Sequence, residues 1–148
     1  DAPSLLKLAM QLKAKNALQE AAALLNRACK KAPGFYEAHL NLGHLLCDLG
    51  QPPHVILSAY QHALGVADRH EARLGVAYAL QELGRHGEAI EHYNEVLEAE
   101  SLKGENLADC YFNLANSLAV IFETDKAEAA YRKSLELKES AEALNNLA

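Results

Sequence analysis

The stretch YFNLANSLAV, residues 111–120, places a small residue directly behind a branched apolar one at Leu114-Ala115. The same kind of pair recurs with its small residue at positions 9, 43, 77, 115 and 148, which are 34, 34, 38 and 33 residues apart. The pairs are Leu8-Ala9, Leu42-Gly43, Val76-Ala77, Leu114-Ala115 and Leu147-Ala148. A near-constant period in the thirties indicates stacked structural repeats. In such a fold each unit contacts its neighbours, so we expect an extended binding surface and not a pocket.

Two amphipathic helices fit into each period. In the fourth period, apolar residues follow helical spacing from Tyr111 to Ile121, and a second apolar face follows the turn near 123–125. The predicted units are residues 2–35, 36–69, 70–107, 108–140 and a partial fifth at 141–148, with an insertion at 101–107 that explains the longer step. We therefore predict an all-α fold, an α-α superhelix of antiparallel helix pairs, as a single array over residues 1–148.

Charge and composition narrow the classes of partner. The chain has 14 Lys and Arg against 20 Asp and Glu, a net charge of −6. Residues 1–33 carry +4 (six basic, two acidic) and residues 34–148 carry −10 (eight basic, eighteen acidic). An acidic body disfavours nucleic acid, and the lack of a long apolar run predicts no membrane insertion. The three Cys have no paired spacing, so we expect reduced thiols and a cytoplasmic, or else nuclear, protein.

The spacing of small residues within a unit resembles the tetratricopeptide repeat. That family places small residues 12 and then 7 apart, with a Pro 5 further on, and the first unit has Ala9, Ala21, Ala28 and Pro33. The phrases Asn41-Leu42-Gly43, Asn113-Leu114-Ala115 and Asn146-Leu147-Ala148 match the core of the family's first helix. The resemblance covers essentially the whole chain. It implies a right-handed solenoid whose first helices face a concave groove that binds protein segments.

The resemblance also implies which side chains line that groove. They are Leu40, Asn41, His44 and Asp48 from the second unit, Glu71, Leu74, Tyr78 and Glu82 from the third, and Asp109, Phe112, Asn113 and Asn116 from the fourth. This mixture of apolar, amide and acidic groups predicts an extended or helical peptide ligand, and its acidity favours Lys or Arg beside apolar residues.

Three of the asparagines, Asn41, Asn113 and Asn146, share one slot of the repeat. This looks like the asparagine ladder of O-GlcNAc transferases, which binds the peptide backbone, and Gly75 interrupts it in the third unit. The alternative is that Asn merely tolerates an exposed helix position.

The sequence contains no pattern that indicates catalysis or a cofactor. It has no Gly-rich phosphate loop and no nucleophile elbow. The pairs His44 with Cys47 and His86 with His92 lack the second pair that a structural zinc site needs. We therefore predict a protein–protein interaction module that is not an enzyme and needs no metal or cofactor. Two alternatives stay open: the recognition arm of a larger O-GlcNAc-transferase-like glycosyltransferase, or a scaffold that self-associates through its terminal helices.

Overall fold

A computed structural model describes residues 1–147 of the chain, with side chains as far as residue 142. The described residues form eight α-helices joined by short turns. They are α1 (Ala2–Ala14), α2 (Leu18–Lys31), α3 (Tyr36–Asp48), α4 (Pro53–Val66), α5 (His70–Glu82), α6 (His86–Glu98), α7 (Gly104–Val120) and α8 (Thr124–Leu147). Within residues 1–147 every regular element is a helix, which confirms the all-α prediction. In the same range, no helix has both the length and the apolarity that crossing a bilayer requires.

The helices are organised in two compact units, and the boundary between them falls inside α5. Unit 1 comprises residues 1–79, and unit 2 begins at Leu80. In unit 1, α2 packs against α1 and α3, and α3 packs against α4. In unit 2, α7 packs against both α6 and α8. Each unit therefore shows sequence-adjacent helices packing side by side, as the repeat pattern predicts.

The turn that joins the two helices of a pair has the same geometry each time. Its central residue is Asn16, Gly50, Gly84 or Phe122, with φ of 63°, 68°, 81° and 65°. In each turn the next residue's N–H donates to the carbonyl five positions before it, at 2.9–3.0 Å. This is the Schellman arrangement, which closes a helix through one left-handed residue. Gly and Asn adopt that conformation most easily, so three of the four turns follow directly from their residue type.

Small residues occupy the close crossings between helices. Ala9, Ala77 and Ala115, which define the period, have no exposed surface, and the same holds for Ala21 and Ala89 on second helices. A methyl group at such a position lets two helix backbones approach where a longer side chain would push them apart. The sequence period therefore has a steric cause.

The structure differs from the predicted repeat boundaries in two places. Helix α7 begins at Gly104, inside the predicted 101–107 insertion, so the extra residues lengthen a helix as well as a turn. Helix α8 continues to Leu147 without a turn near 140, because residues 134–147 contain no Gly or Pro to end it. The predicted fifth unit thus begins within α8. The side chains of Leu144, Asn146 and Leu147 lie outside the described residues, and the other repeat bounds stay predictions.

Candidate protein-binding surfaces

Tyr60 organises the candidate surface of unit 1. It projects from α4, is 3% exposed, and its ring lies against Gly43 of α3 and Gly75 of α5. A Cβ atom built on Gly43 would lie 2.6 Å from Cε1 of Tyr60, and one built on Gly75 would also collide with the ring. No side chain fits at either glycine while the ring is there. This explains why Gly75 stands where the asparagine pattern would place an amide.

The hydroxyl of Tyr60 holds two side chains of α3. It shares a hydrogen bond with Nδ1 of His44 at 2.7 Å and lies 3.7 Å from Sγ of Cys47. Burial raises the pKa of Tyr60, so the phenol stays protonated at neutral pH. His44 was predicted to face a ligand, yet one of its ring nitrogens is already bound within the protein.

Two tyrosines of unit 2 act in the same way. The hydroxyl of Tyr93 donates to Oε1 of Gln81 at 3.0 Å, and Nε2 of Gln81 donates to the carbonyl of Asn113 at 2.8 Å. The hydroxyl of Tyr131 donates to Oδ1 of Asn116 at 2.6 Å. Each tyrosine of a second helix therefore orients a polar side chain of the first helix. The amide oxygen of Asn116 is already occupied, which weakens its case as a peptide ligand.

The predicted groove residues differ widely in accessibility. Those that are exposed are Asp48, Glu71, Tyr78, Glu82, Asp109 and Phe112, and those that are partly buried are Asn41, His44, Leu74, Asn113 and Asn116. Leu40 was predicted as an apolar anchor, but it is buried at 7% exposure because α3 is covered by neighbours on more than one side. Asn41 uses its Nδ2 to donate to the carbonyl of Glu37 in its own helix, at 2.7 Å.

Phe112 is an exposed aromatic residue of the predicted surface in unit 2. Its ring is 44% exposed and packs edge-on against Tyr131, with centroids 5.7 Å apart. Nζ of Lys138 lies 5.4 Å from the centre of that ring and 3.9 Å from Oδ1 of Asp109. Sequence reasoning missed Lys138 because it comes from α8, a second helix. Its charge partly offsets the acidity predicted for this surface.

The described residues do not include a group of three or more His, Cys, Asp or Glu placed to hold a metal ion. Cys29, Cys47 and Cys110 form no disulfide. Burial raises the pKa of Cys110 to about 12 and also raises that of Cys29. Neither thiol therefore has the lowered pKa of a reactive cysteine.

The environment of His44 predicts a pH effect on stability. Burial lowers its pKa, Lys13 adds to this, and Glu71 and Asp48 oppose it. In the unfolded chain the pKa of a histidine is about 6.5. The contribution of neutral His44 to the free energy of unfolding is therefore complete above pH 6.5, and it is lost as the pH falls toward the lower pKa of the folded state. We expect His44→Gln to lose less unfolding free energy between pH 7.5 and 5.5 than the parent, measured in urea. Every other residue is the same in the two proteins, so equal pH dependence would contradict this assignment.

Antiparallel helix pairs that cross at small residues define a helical-repeat protein. Residues 68–140 match the tetratricopeptide repeat model. This part of the chain, about half of its length, belongs to the tetratricopeptide-repeat family, as its sequence predicted. A fold of this class is a scaffold for protein–protein interaction.

Solved structures of MamA have a similar fold. One superposes with a TM-score of 0.84 at 20% identity, covering 93% of this chain and 73% of its own. Another has a TM-score of 0.82 at 19% identity, covering 95% and 80%. MamA from Desulfovibrio magneticus RS-1 has a TM-score of 0.81 at 17% identity, covering 95% and 77%. At such identities the likeness concerns the fold alone. No curated protein sequence matches the chain.

Proposed function

We propose that this chain is a non-catalytic interaction module that binds an extended or helical peptide on the exposed faces of its first helices, with a preference for Lys or Arg beside apolar residues. The observation that carries the proposal is the exposure of two aromatic rings on those helices. Tyr78 on α5 is 43% exposed and Phe112 on α7 is 44% exposed. Large exposed apolar groups rimmed by polar ones often mark interaction sites.

Acidic side chains accompany both rings. Glu71 lies two helical turns before Tyr78, and Asp109 lies three residues before Phe112, so each acid shares a helix face with its aromatic ring. A peptide with an apolar residue next to Lys or Arg complements that pairing in both shape and charge. Lys138 beside Asp109 reduces the effect in unit 2, so the preference for basic peptides rests chiefly on unit 1.

Asn113 contributes a different kind of recognition. Its side chain is partly exposed on α7, and its backbone carbonyl is held by Gln81. A carboxamide can donate and accept at the same time, so it can bind both sides of a peptide bond without distinguishing side chains. A few hydrogen bonds contribute about 1 kcal/mol each, and two or three buried side chains add to this. After the cost of ordering the peptide is subtracted, we expect a Kd on the order of micromolar.

Substitutions in the two units should change peptide binding differently. We expect Asn113→Ala to weaken binding severalfold for unrelated peptide sequences, because a carboxamide that binds the peptide backbone does not distinguish between side chains. Glu71→Lys should instead weaken the binding of Lys-containing peptides and spare acidic ones. Calorimetry with a panel of basic, neutral and acidic peptides measures both effects.

The second helices offer matched controls for this panel. Asn94→Ala and Glu91→Lys make the same chemical changes at exposed positions of α6, and they should leave every affinity within about twofold of the parent. If Asn113→Ala behaves like Asn94→Ala, the backbone-binding role fails. The proposals of a glycosyltransferase recognition arm and of a cytoplasmic or nuclear location stay predictions.

A further inference from the structure

Phe122 occupies the left-handed position of the turn between α7 and α8. Its side chain is 89% exposed at φ of 65°, whereas the corresponding turn positions hold Asn16, Gly50 and Gly84. A bulky residue is strained in this conformation, and an exposed ring recovers none of that cost by packing. Folding of the turn therefore does not account for the choice of Phe at this position.

The residues around Phe122 extend this exposed apolar surface. Val120 is 54% exposed and Ile121 is 42% exposed, so residues 120–122 form a continuous apolar projection, here called the Phe122 knob. Exposed acids follow it directly. Residues 123–128 contain Glu123, Asp125 and Glu128 against one base, Lys126, which lies 4.0 Å from Glu123. Glu128 is itself paired with Arg132 at 2.7 Å, so the Phe122 knob is an apolar group with a weakly acidic flank.

A cavity in unit 1 has the complementary character. It has a volume of about 610 Å³ and lies between α2 and α4, with α3 as its floor. We call it the α2–α4 cavity. Its apolar lining includes Leu42 and Leu46 of α3 and Ala59 of α4, while its rim includes exposed Lys30, His54 and His62. The volume falls within the roughly 300–1,000 Å³ of typical ligand sites.

The charge around this cavity is positive. Among the described residues that line it, none is an Asp or a Glu. Arg27 and Lys31 are exposed on α2 beside Lys30, and the sequence of α4 contains no Asp, Glu, Lys or Arg. On α3, the cavity residues Leu42 and Leu46 lie on the opposite side of the helix from His44 and Asp48. The cavity is therefore distinct from the surface proposed above for peptides.

We propose that this protein self-associates head to tail, with the Phe122 knob of one copy inserted into the α2–α4 cavity of a second copy. The apolar ring meets the apolar floor, and the acids after it meet Lys30, Arg27 and Lys31 at the rim. Because the two surfaces differ, each knob-to-cavity contact is heterologous. Such contacts either close into a ring of two or more copies or continue into a chain.

Two substitutions disable the two surfaces separately. Phe122→Gly removes the knob and suits the left-handed turn, so we expect it to raise the melting temperature while it abolishes association. Ser58→Trp places a large side chain at the exposed edge of the cavity. In sedimentation velocity up to a few hundred micromolar, the parent should show a mass that rises with concentration, and each variant alone should stay monomeric.

Mixing the two variants is the decisive step. The Phe122→Gly protein keeps its cavity and the Ser58→Trp protein keeps its knob, so an equimolar mixture should form a 1:1 complex that grows no further. Added salt should weaken this complex severalfold because charges flank the contact. Leu135→Ala, at an exposed apolar residue of α8, and Gln61→Trp, at an exposed α4 residue outside the cavity lining, are matched controls that should associate like the parent.

Several results would overturn the proposal. A parent protein that is monomeric over the whole concentration range has no such contact. Association that survives both substitutions uses another surface, such as the terminal helices. A mixture of the two variants that stays monomeric shows that knob and cavity do not bind each other.

Discussion

Replacing Gly75 with Ala is expected to lower the free energy of unfolding by about 2 kcal/mol and the melting temperature by about 5 °C. A Cβ atom at this position would overlap the ring of Tyr60. The ring cannot move aside easily, since Gly43 lies against it and its hydroxyl is hydrogen-bonded to His44. Urea and thermal denaturation followed by circular dichroism measure the effect.

Two further variants separate this clash from the general effect of Ala in a helix. Gly65 also lies in a helix, but nothing is within 4 Å of a Cβ built there, so Gly65→Ala should be neutral or slightly stabilising. Combining Gly75→Ala with Tyr60→Leu removes the ring that the new methyl meets. The Gly75→Ala penalty should then fall by more than about 1 kcal/mol in a double-mutant cycle. An unchanged penalty would show that another contact is responsible.

The second large effect is expected at Ala115, one of the residues that define the repeat period. Its side chain has no exposed surface on α7, which packs against both α6 and α8. Ala115→Leu should overpack these crossings and lower the free energy of unfolding by about 1–3 kcal/mol. The same denaturation experiments apply.

Ala119 offers the matched control, because it lies one turn later on α7 and is exposed. We expect Ala119→Leu to change the free energy of unfolding by less than about 0.5 kcal/mol. Ala77→Leu tests the same steric rule in unit 1, where Ala77 is equally buried. Similar losses at 115 and 119 would mean that the small residues do not set the close approach of the helices.

Most of the fold could be predicted from the sequence because the features that produce it are local. The period from Ala9 to Ala115 reflects sterics at helix crossings, and Asn16, Gly50 and Gly84 mark turns by their preference for a left-handed conformation. The end of α8 was harder to predict. Only the lack of Gly and Pro after Ser134 favours its continuation, and the repeat pattern argued for a break near 140.

The candidate surface was predicted less well, because accessibility depends on partners that are distant in sequence. The family resemblance placed Leu40, His44 and Asn116 on the binding face with equal weight. Only tertiary packing buries Leu40 and engages His44 and Asn116 with tyrosines 16 and 15 residues away. The sequence by itself therefore determined the repeat, the helix pairs and the acidic balance, which follow from residue type and period. Only the tertiary structure shows which side chains are accessible, why position 75 requires a glycine, and where the α2–α4 cavity lies. Each of these depends on atoms that packing brings together from different helices.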